Sequence, residues 1–338
     1  MMNKHRHLHP PSGPQEGSPP AGPAPLVSVC MLAYNVAPYV GAAIEGVLGQ
    51  EAPFPIELVI GKDKSTDDTL AICSSYARQY PKIIRILPQL ENQGIAGNAR
   101  RTLSHCSGKY IAICDGDDIW TDPHKIREQV RFLEEHPDYG MSYTDVQIIS
   151  ETGAPVQDAE QDAVRPYYAE GHVFLKLLDG NFIANSTAVF RRELLQDHVI
   201  DTDRQYYIHD YLMWLHVSMR SKVHFYHAPT TAYRKHSGGV TNSEIKRRYN
   251  RLKLQHALFQ LLTDFDRINT QPLSLAEKTL LFRKILSSLY RKAGTWQQKL
   301  NILPLALKYM PGPAAIGSMV LHKLKNLFHI PATNLSQI

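Results

Sequence analysis

The sequence predicts an α/β fold: a mostly parallel central sheet with helices on both faces, followed by a helical C-terminal extension. Three observations carry this. From Leu26 onward, short apolar runs alternate with longer periodic ones, the pattern of strands joined by helical crossovers. Four of the short runs are near-continuous Val, Ile and Leu, as strands covered on both faces must be. The fourth, Tyr110–Cys114, runs straight into Asp115-Gly116-Asp117-Asp118, and in open α/β sheets ligands bind at the carboxyl ends of the strands.

The elements follow in order. Val27–Leu32 reads as a strand, Pro38–Leu48 as a helix and Ile56–Ile60 as a strand. Asp67–Tyr80 is a helix introduced by Ser65 and Thr66, which with Asp67 are good capping residues. Ile83–Leu87, Gly97–Ser104 and Tyr110–Cys114 continue as strand, helix and strand, and this half looks like a nucleotide-binding domain. A helix from Asp122 to Glu134, a strand at Met141–Ile149 and a polar surface loop at Glu151–Tyr168 come next. The pattern then turns mixed: a helix near Val173–Leu178, a strand at Ser186–Phe190, a helix at His209–Arg220, and short strands at Val223–Tyr226 and Thr231–Arg234. From Asn242 helices dominate, broken at Pro272, Pro304, Pro311 and Pro313. The expected division is therefore a disordered leader over 1–25, an α/β domain over 26–240 and a basic helical region over 241–338. Within that domain, 26–120 is expected to form a nucleotide-binding half and 121–240 an acceptor-binding half.

Composition narrows the function. The 338 residues can bury a substantial core, and no apolar run approaches the roughly 18 residues of a membrane span. The leader's His, Pro, Gly and Ser residues lack the apolar stretch of a secretory signal, and His5, His7 and His9 are assigned no ligand. Cys30, Cys73, Cys106 and Cys114 show no paired spacing, so neither zinc nor disulfides are implied, and a cytoplasmic location is expected. The net charge of +5 hides a split: residues 245–338 carry 15 Lys and Arg against 3 Asp and Glu, leaving 22 against 29 elsewhere. That basic tail suits an anionic surface.

Three carboxylates within four positions repel one another unless a divalent metal or a hydrogen-bond network absorbs the charge. The alternative is a turn with capping aspartates, since Asp-Gly is common turn chemistry. Two further loops converge on the same edge. Ala33-Tyr34-Asn35 opens after the first strand, just before a helix N-terminus suited to anions. The second strand delivers Gly61-Lys62-Asp63-Lys64-Ser65-Thr66-Asp67, where Asp63 is free to accept hydrogen bonds from a base or ribose.

Taken together, the ordered set resembles the family 2 glycosyltransferases, inverting enzymes of GT-A (Rossmann-like) fold that use nucleoside-diphosphate sugars. The set comprises the Val-Ser-Val to Tyr-Asn opening, Asp63-Lys64-Ser65-Thr66-Asp67, Asn92-Gln93-Gly94 with Asn98-Ala99-Arg100, Asp115-Gly116-Asp117-Asp118, His209-Asp210 and Tyr233-Arg234-Lys235-His236. It spans roughly residues 27 to 240. The resemblance implies nucleotide-sugar contacts at Ala33, Tyr34, Asn35, Asp63, Asn92, Gly94, Asn98, Arg100, Asp115 and Arg234. It implies a divalent cation, Mg or Mn, on Asp117 with His236 nearby, and Asp210 as general base. Asp210 also reads as a cap of its helix. Lys62, where many relatives carry an acidic residue, and His209 before the base both depart from the pattern, which leaves donor choice open. Trp120 either stacks on a sugar or fills the core.

The implied partners are a nucleoside-diphosphate sugar, with UDP favoured, and a saccharide or lipid-linked acceptor. Apolar residues at helical spacing in the tail, from Leu252 to Leu262 and from Met319 to Phe328, allow peripheral contact with the inner face of the cytoplasmic membrane or packing on the protein itself. No nucleic-acid partner is implied, because few aromatics interleave with the tail's basic residues. A dehydrogenase would show Gly-x-Gly-x-x-Gly after the first strand, and it is absent. The non-enzymatic alternative is a scaffold that keeps a nucleotide-sugar pocket without turnover.

Overall fold

The computed structural model describes residues 24–87, 92–178, 180–195 and 209–239. The chain divides into two units, 1–173 with 181–242 and 174–180 with 243–338. In the second unit the described structure is a single helical turn, Phe174–Leu177. The expectations for residues 1–23 and for the tail beyond 239 lie outside the described residues.

In the first unit, β1 (Val27–Ala33), β2 (Ile56–Lys62), β3 (Ile84–Leu87) and β4 (Tyr110–Ile113) form the parallel half of the sheet, in the order β3-β2-β1-β4. They are joined by α1 (Ala37–Leu48), α2 (Thr69–Gln79) and α3 (Gly94–Ser104). The expected buried strands are observed: β1, β2 and β4 are almost wholly inaccessible. Val29 and Met31 of β1, Leu58 and Ile60 of β2 and Ala112 of β4 pack with Val40, Ile44 and Val47 of α1 in one core. Truncating such a side chain to Ala costs about 2–5 kcal/mol.

The second half departs from a simple parallel continuation. The sheet runs on through β7 (Val189–Arg191), β6 (Tyr139–Ile149), β8 (Lys222–Arg234) and β5 (Ile119–Trp120). β7 is antiparallel to both β4 and β6, which restores β6 and β8 to the direction of β4. The carboxyl ends of β1, β2, β4, β6 and β8 therefore share one edge. Helix α4 (Lys125–Glu135) covers this half with its amphipathic face, and α7 (His209–Arg220) follows β7 in the chain.

Several boundaries differ from the sequence reading. The loop expected at Glu151–Tyr168 contains α5 (Ala159–Val164), capped by the Asp158 carboxylate on the Gln161 N–H, and a 3-10 turn at Arg165–Tyr167. It is pinned to β6, because Arg165 and Tyr168 both bond the Asp145 carboxylate. The two short strands expected around Pro229 are one 13-residue strand, in which irregular register opposite Asp145 accommodates the proline. The strand expected from Ser186 begins instead at Val189, since Asn185–Thr187 coil into a 3-10 turn. Helix α6, the Phe174–Leu177 turn, is all that is described of the helix expected at Val173–Leu178.

Candidate active site

The loops after β1 and β2 are stitched to each other. Asn35 takes a left-handed φ of 53°, which Asn tolerates, and its Oδ1 accepts the Thr66 N–H at 2.8 Å. The Asn35 N–H goes to Ser65 Oγ, Val36 N–H to Thr69 Oγ1 and Ala37 N–H to Asp67 Oδ2 at 2.9 Å. The anion-ready amides at the start of α1 are thus filled by the chain's own groups. Asp67 also accepts the Thr69 N–H and hydroxyl, serving two helix starts at once. Burial raises its pKa, but the bonds from Thr69 and Ala37 outweigh that and hold it below the ordinary carboxylate value. Ser65 and Thr66 make no side-chain cap to α2. Tyr34 beside them is 47% exposed.

Asp63, directly after β2, is buried. Its N–H donates to Ala33 O, and its Oδ1 accepts Lys64 N–H at 3.0 Å and Gln93 N–H at 3.2 Å. Through its N–H and its carboxylate, this one residue joins the β1 and β2 ends to the start of α3. There Asn92 Oδ1 accepts the Gly94 N–H, a turn that needs the positive φ of 71° glycine allows. Arg100 is exposed on α3. Asn98 is not brought to this opening: it is buried, and its amide donates to Gly61 O at 2.6 Å.

The aspartate cluster follows β4. Gly116 lets it lie against the end of β1, since a Cβ there would sit 2.9 Å from Leu32 O. The three carboxylates then separate in role. Asp117 reaches His236, with Oδ2 3.0 Å from Nε2. Asp118 is buried beneath, accepting the Arg234 N–H at 3.0 Å and the Ser186 hydroxyl at 2.5 Å. Burial, then the charges of Asp117 and Asp115, raise its pKa well above the ordinary value. Asp115 is half-buried and held by Asn185, whose Nδ2 donates to Oδ2 at 2.7 Å. Burial pushes its carboxyl up to about 7, and the charges of Asp117 and, after it, Asp210 add to the rise. Asp210 lies in the first turn of α7.

Arg234, expected at the nucleotide, is buried behind the loop. Its guanidinium donates to the carbonyls of Asp117, Ser150 and Glu151 and lies over the Tyr39 ring. Tyr39 in turn packs on the His236 ring, with centroids 4.8 Å apart, and donates its hydroxyl to Glu151. Trp120 fills the core: it is buried and its indole N–H donates to Ser186 O at 2.8 Å.

Residues not anticipated are Tyr39, Glu151, Asn185 and Ser186. The polar triplet Asn185-Ser186-Thr187 ahead of an apolar strand was a legible signal, whereas Tyr39 is indistinguishable from any core position of α1.

The donor set fits a divalent cation. Asp117 and His236 stand side by side, and the neighbouring carboxylates leave negative charge that a cation relieves. Among the described residues no three His, Cys, Asp or Glu side chains group to hold a metal unaided. One or two side chains plus substrate phosphates and water is the usual provision for Mg.

Comparison with known proteins agrees with this architecture. An uncharacterized protein of Mycobacterium tuberculosis is 31% identical over 217 residues, covering 64% of this chain and 61% of that protein. The chain thus spans about three fifths of the length of that relative. TuaG of Bacillus subtilis, named as a teichuronic acid biosynthesis glycosyltransferase, is 33% identical over 135 residues, covering 39% of this chain and 51% of that protein. Among solved structures, S. aureus TarS 1-349 in complex with UDP-GlcNAc superimposes with a TM-score of 0.60 at 16% identity, over 82% of this chain and 79% of that one. The mannosyltransferase PcManGT from Pyrobaculum calidifontis, in complex with GDP-Man and Mn2+, gives 0.55 at 18% identity, over 93% and 84%. These two likenesses establish the GT-A fold. Residues 28–199, just over half of the sequence, match the family described as Glycosyl transferase family 2, and the chain belongs to that family.

Proposed function

We propose that this glycosyltransferase moves a sugar, with inversion, from a nucleoside-diphosphate sugar to a hydroxyl of a saccharide or lipid-linked acceptor in bacterial surface polysaccharide synthesis. The observation that carries the reading is the convergence of Asp63, Asp115 and Asp117 on one sheet edge. The relative named for teichuronic acid synthesis supports the acceptor class, and the UDP-GlcNAc and GDP-Man complexes of the structural neighbours support the donor class. A UDP-sugar is favoured.

In this reading the exposed Tyr34 ring and the Asn35 loop meet the nucleotide, Asp63 its base, and Asp115 the ribose and donor sugar. Asp117 and His236 would hold a Mg or Mn ion, which when bound offsets charge on the departing diphosphate. Asp210 takes the proton from the acceptor hydroxyl as that oxygen attacks the anomeric carbon. The bond to the diphosphate breaks on the opposite face, and one displacement inverts the centre.

The test is transfer from UDP-glucose, UDP-GlcNAc and GDP-mannose to a panel of saccharide acceptors with Mn2+. Asp117→Asn and Asp210→Asn are each expected to lower turnover by about 10²-fold or more. Full activity of Asp210→Asn removes it as the base. No helix of the described residues is long and apolar enough to cross a membrane. The basic region 241–338 is proposed to meet an anionic membrane surface from the cytoplasmic side, so the full chain should float with anionic vesicles and not with neutral ones.

A further inference from the structure

Two consecutive side chains in the turn before β7 grip Asp115 by its carboxylate and its backbone. Asn185 Nδ2 donates to Asp115 Oδ2 at 2.7 Å, and Ser186 Oγ accepts the Asp115 N–H at 3.0 Å. The turn is itself fixed from beneath. Trp120 Nε1 and Thr231 Oγ1 both donate to Ser186 O, while the buried Lys125 ammonium and Gln129 amide both donate to Thr187 O. Such bracing leaves Asn185 little freedom to reorient.

Its amide also has a fixed sense. The NH2 end must face the carboxylate, because the alternative sets two acceptors against each other. Asn185 Oδ1 therefore points elsewhere, and it is buried without a hydrogen-bond partner among the described residues.

We propose that Asn185 is a positioning and specificity-determining residue for the sugar half of the donor. It holds Asp115 by one carboxylate oxygen. In the donor complex the other carboxyl oxygen of Asp115, fixed in this way, meets a ring hydroxyl of the sugar. The fixed carboxyl selects a sugar that presents a hydroxyl there and rejects one deoxygenated at that position. This rests on the reading of Asp115 as a donor-binding carboxylate.

The test is titration calorimetry of the full chain with Mn2+, using UDP, GDP, UDP-glucose, UDP-GlcNAc and GDP-mannose. Asn185→Ala and the isosteric Asn185→Asp are expected to weaken the sugar-bearing ligand by about tenfold or more, as loss of a hydrogen bond to a charged group does. The bare nucleoside diphosphate should change by less than about twofold. Equal losses for both ligand forms, or none for either, overturn the inference. A second measurement uses the wild-type protein alone and so does not depend on either variant folding: singly deoxygenated analogues of the sugar nucleotide that binds. One position should cost about tenfold, and uniform affinity across the analogues overturns the inference. If the wild type binds no nucleoside diphosphate, or Asp63→Ala leaves that binding unchanged, the donor-site reading has failed instead.

Discussion

Asp117 and Asp118 are adjacent in sequence, yet the fold assigns them different physical tasks. The Asp117 side chain is 28% exposed and, among the described residues, hydrogen-bonds His236. Asp118 is 1% exposed and ties the loop to β8 and to the Asn185–Thr187 turn. Asp118→Ala leaves the Arg234 N–H and the Ser186 hydroxyl without that acceptor inside the protein, which should cost about 1–3 kcal/mol in urea unfolding. Asp117→Ala should unfold within about 1 kcal/mol of wild type. Equal destabilisation by the two would contradict the division. The cluster itself was legible because three carboxylates at a strand end demand compensation. Which carboxylate does what was not, since the partner that claims Asp118 lies 116 residues further on. Trp120 was ambiguous for the same reason: its acceptor, Ser186 O, is distant in the chain.

At the scale of elements, the parallel half was readable because β1, β2 and β4 are apolar on both faces, a pattern few other arrangements produce. The antiparallel half was not. β5 has two residues and β7 three, too short for any periodicity, and Pro229 interrupts the apolar pattern of β8 although an irregular register absorbs it. The excursion after β6 looked like plain loop because its order comes from Asp145, which lies within β6 itself. Asp67 is the clearest case of an element joint carried by one side chain. Asp67→Ala removes acceptors from the starts of both α1 and α2 and should lower stability by about 1–2 kcal/mol, read from thermal or urea unfolding. Its pKa lies below the ordinary 3.8, so its contribution is complete above that value and fades as pH falls through the lower folded value. A variant indistinguishable from wild type near neutral pH would place the loop stitching elsewhere.

Across the whole molecule, one buried cation links the core to the site. Lys125 is wholly buried, with its ammonium donating to Gln129 Oε1 at 2.6 Å and Thr187 O at 2.9 Å and lying over the Trp120 ring. Burial pushes it down to about 7 from an ordinary 10.5, against the opposing pull of Cys114 and Asp122. Between those values the unfolded chain binds more protons than the folded one, so stability rises with pH from about 7 towards 10.5 and bears the full burial cost below 7. Lys125→Met should flatten that slope in unfolding measured at pH 7, 8 and 9; an unchanged slope assigns it to another group. In the proposed function, the acidic rim of the sheet gathers a cation that holds an activated donor by its diphosphate. The most direct test of this is calorimetric titration of UDP-glucose, UDP-GlcNAc and GDP-mannose into wild type and Asp117→Asn, with and without Mn2+. At least one donor should bind wild type more tightly with Mn2+ by about tenfold or more, with that gain lost in Asp117→Asn. Binding equally strong without the metal, or a metal effect that survives the substitution, would contradict it.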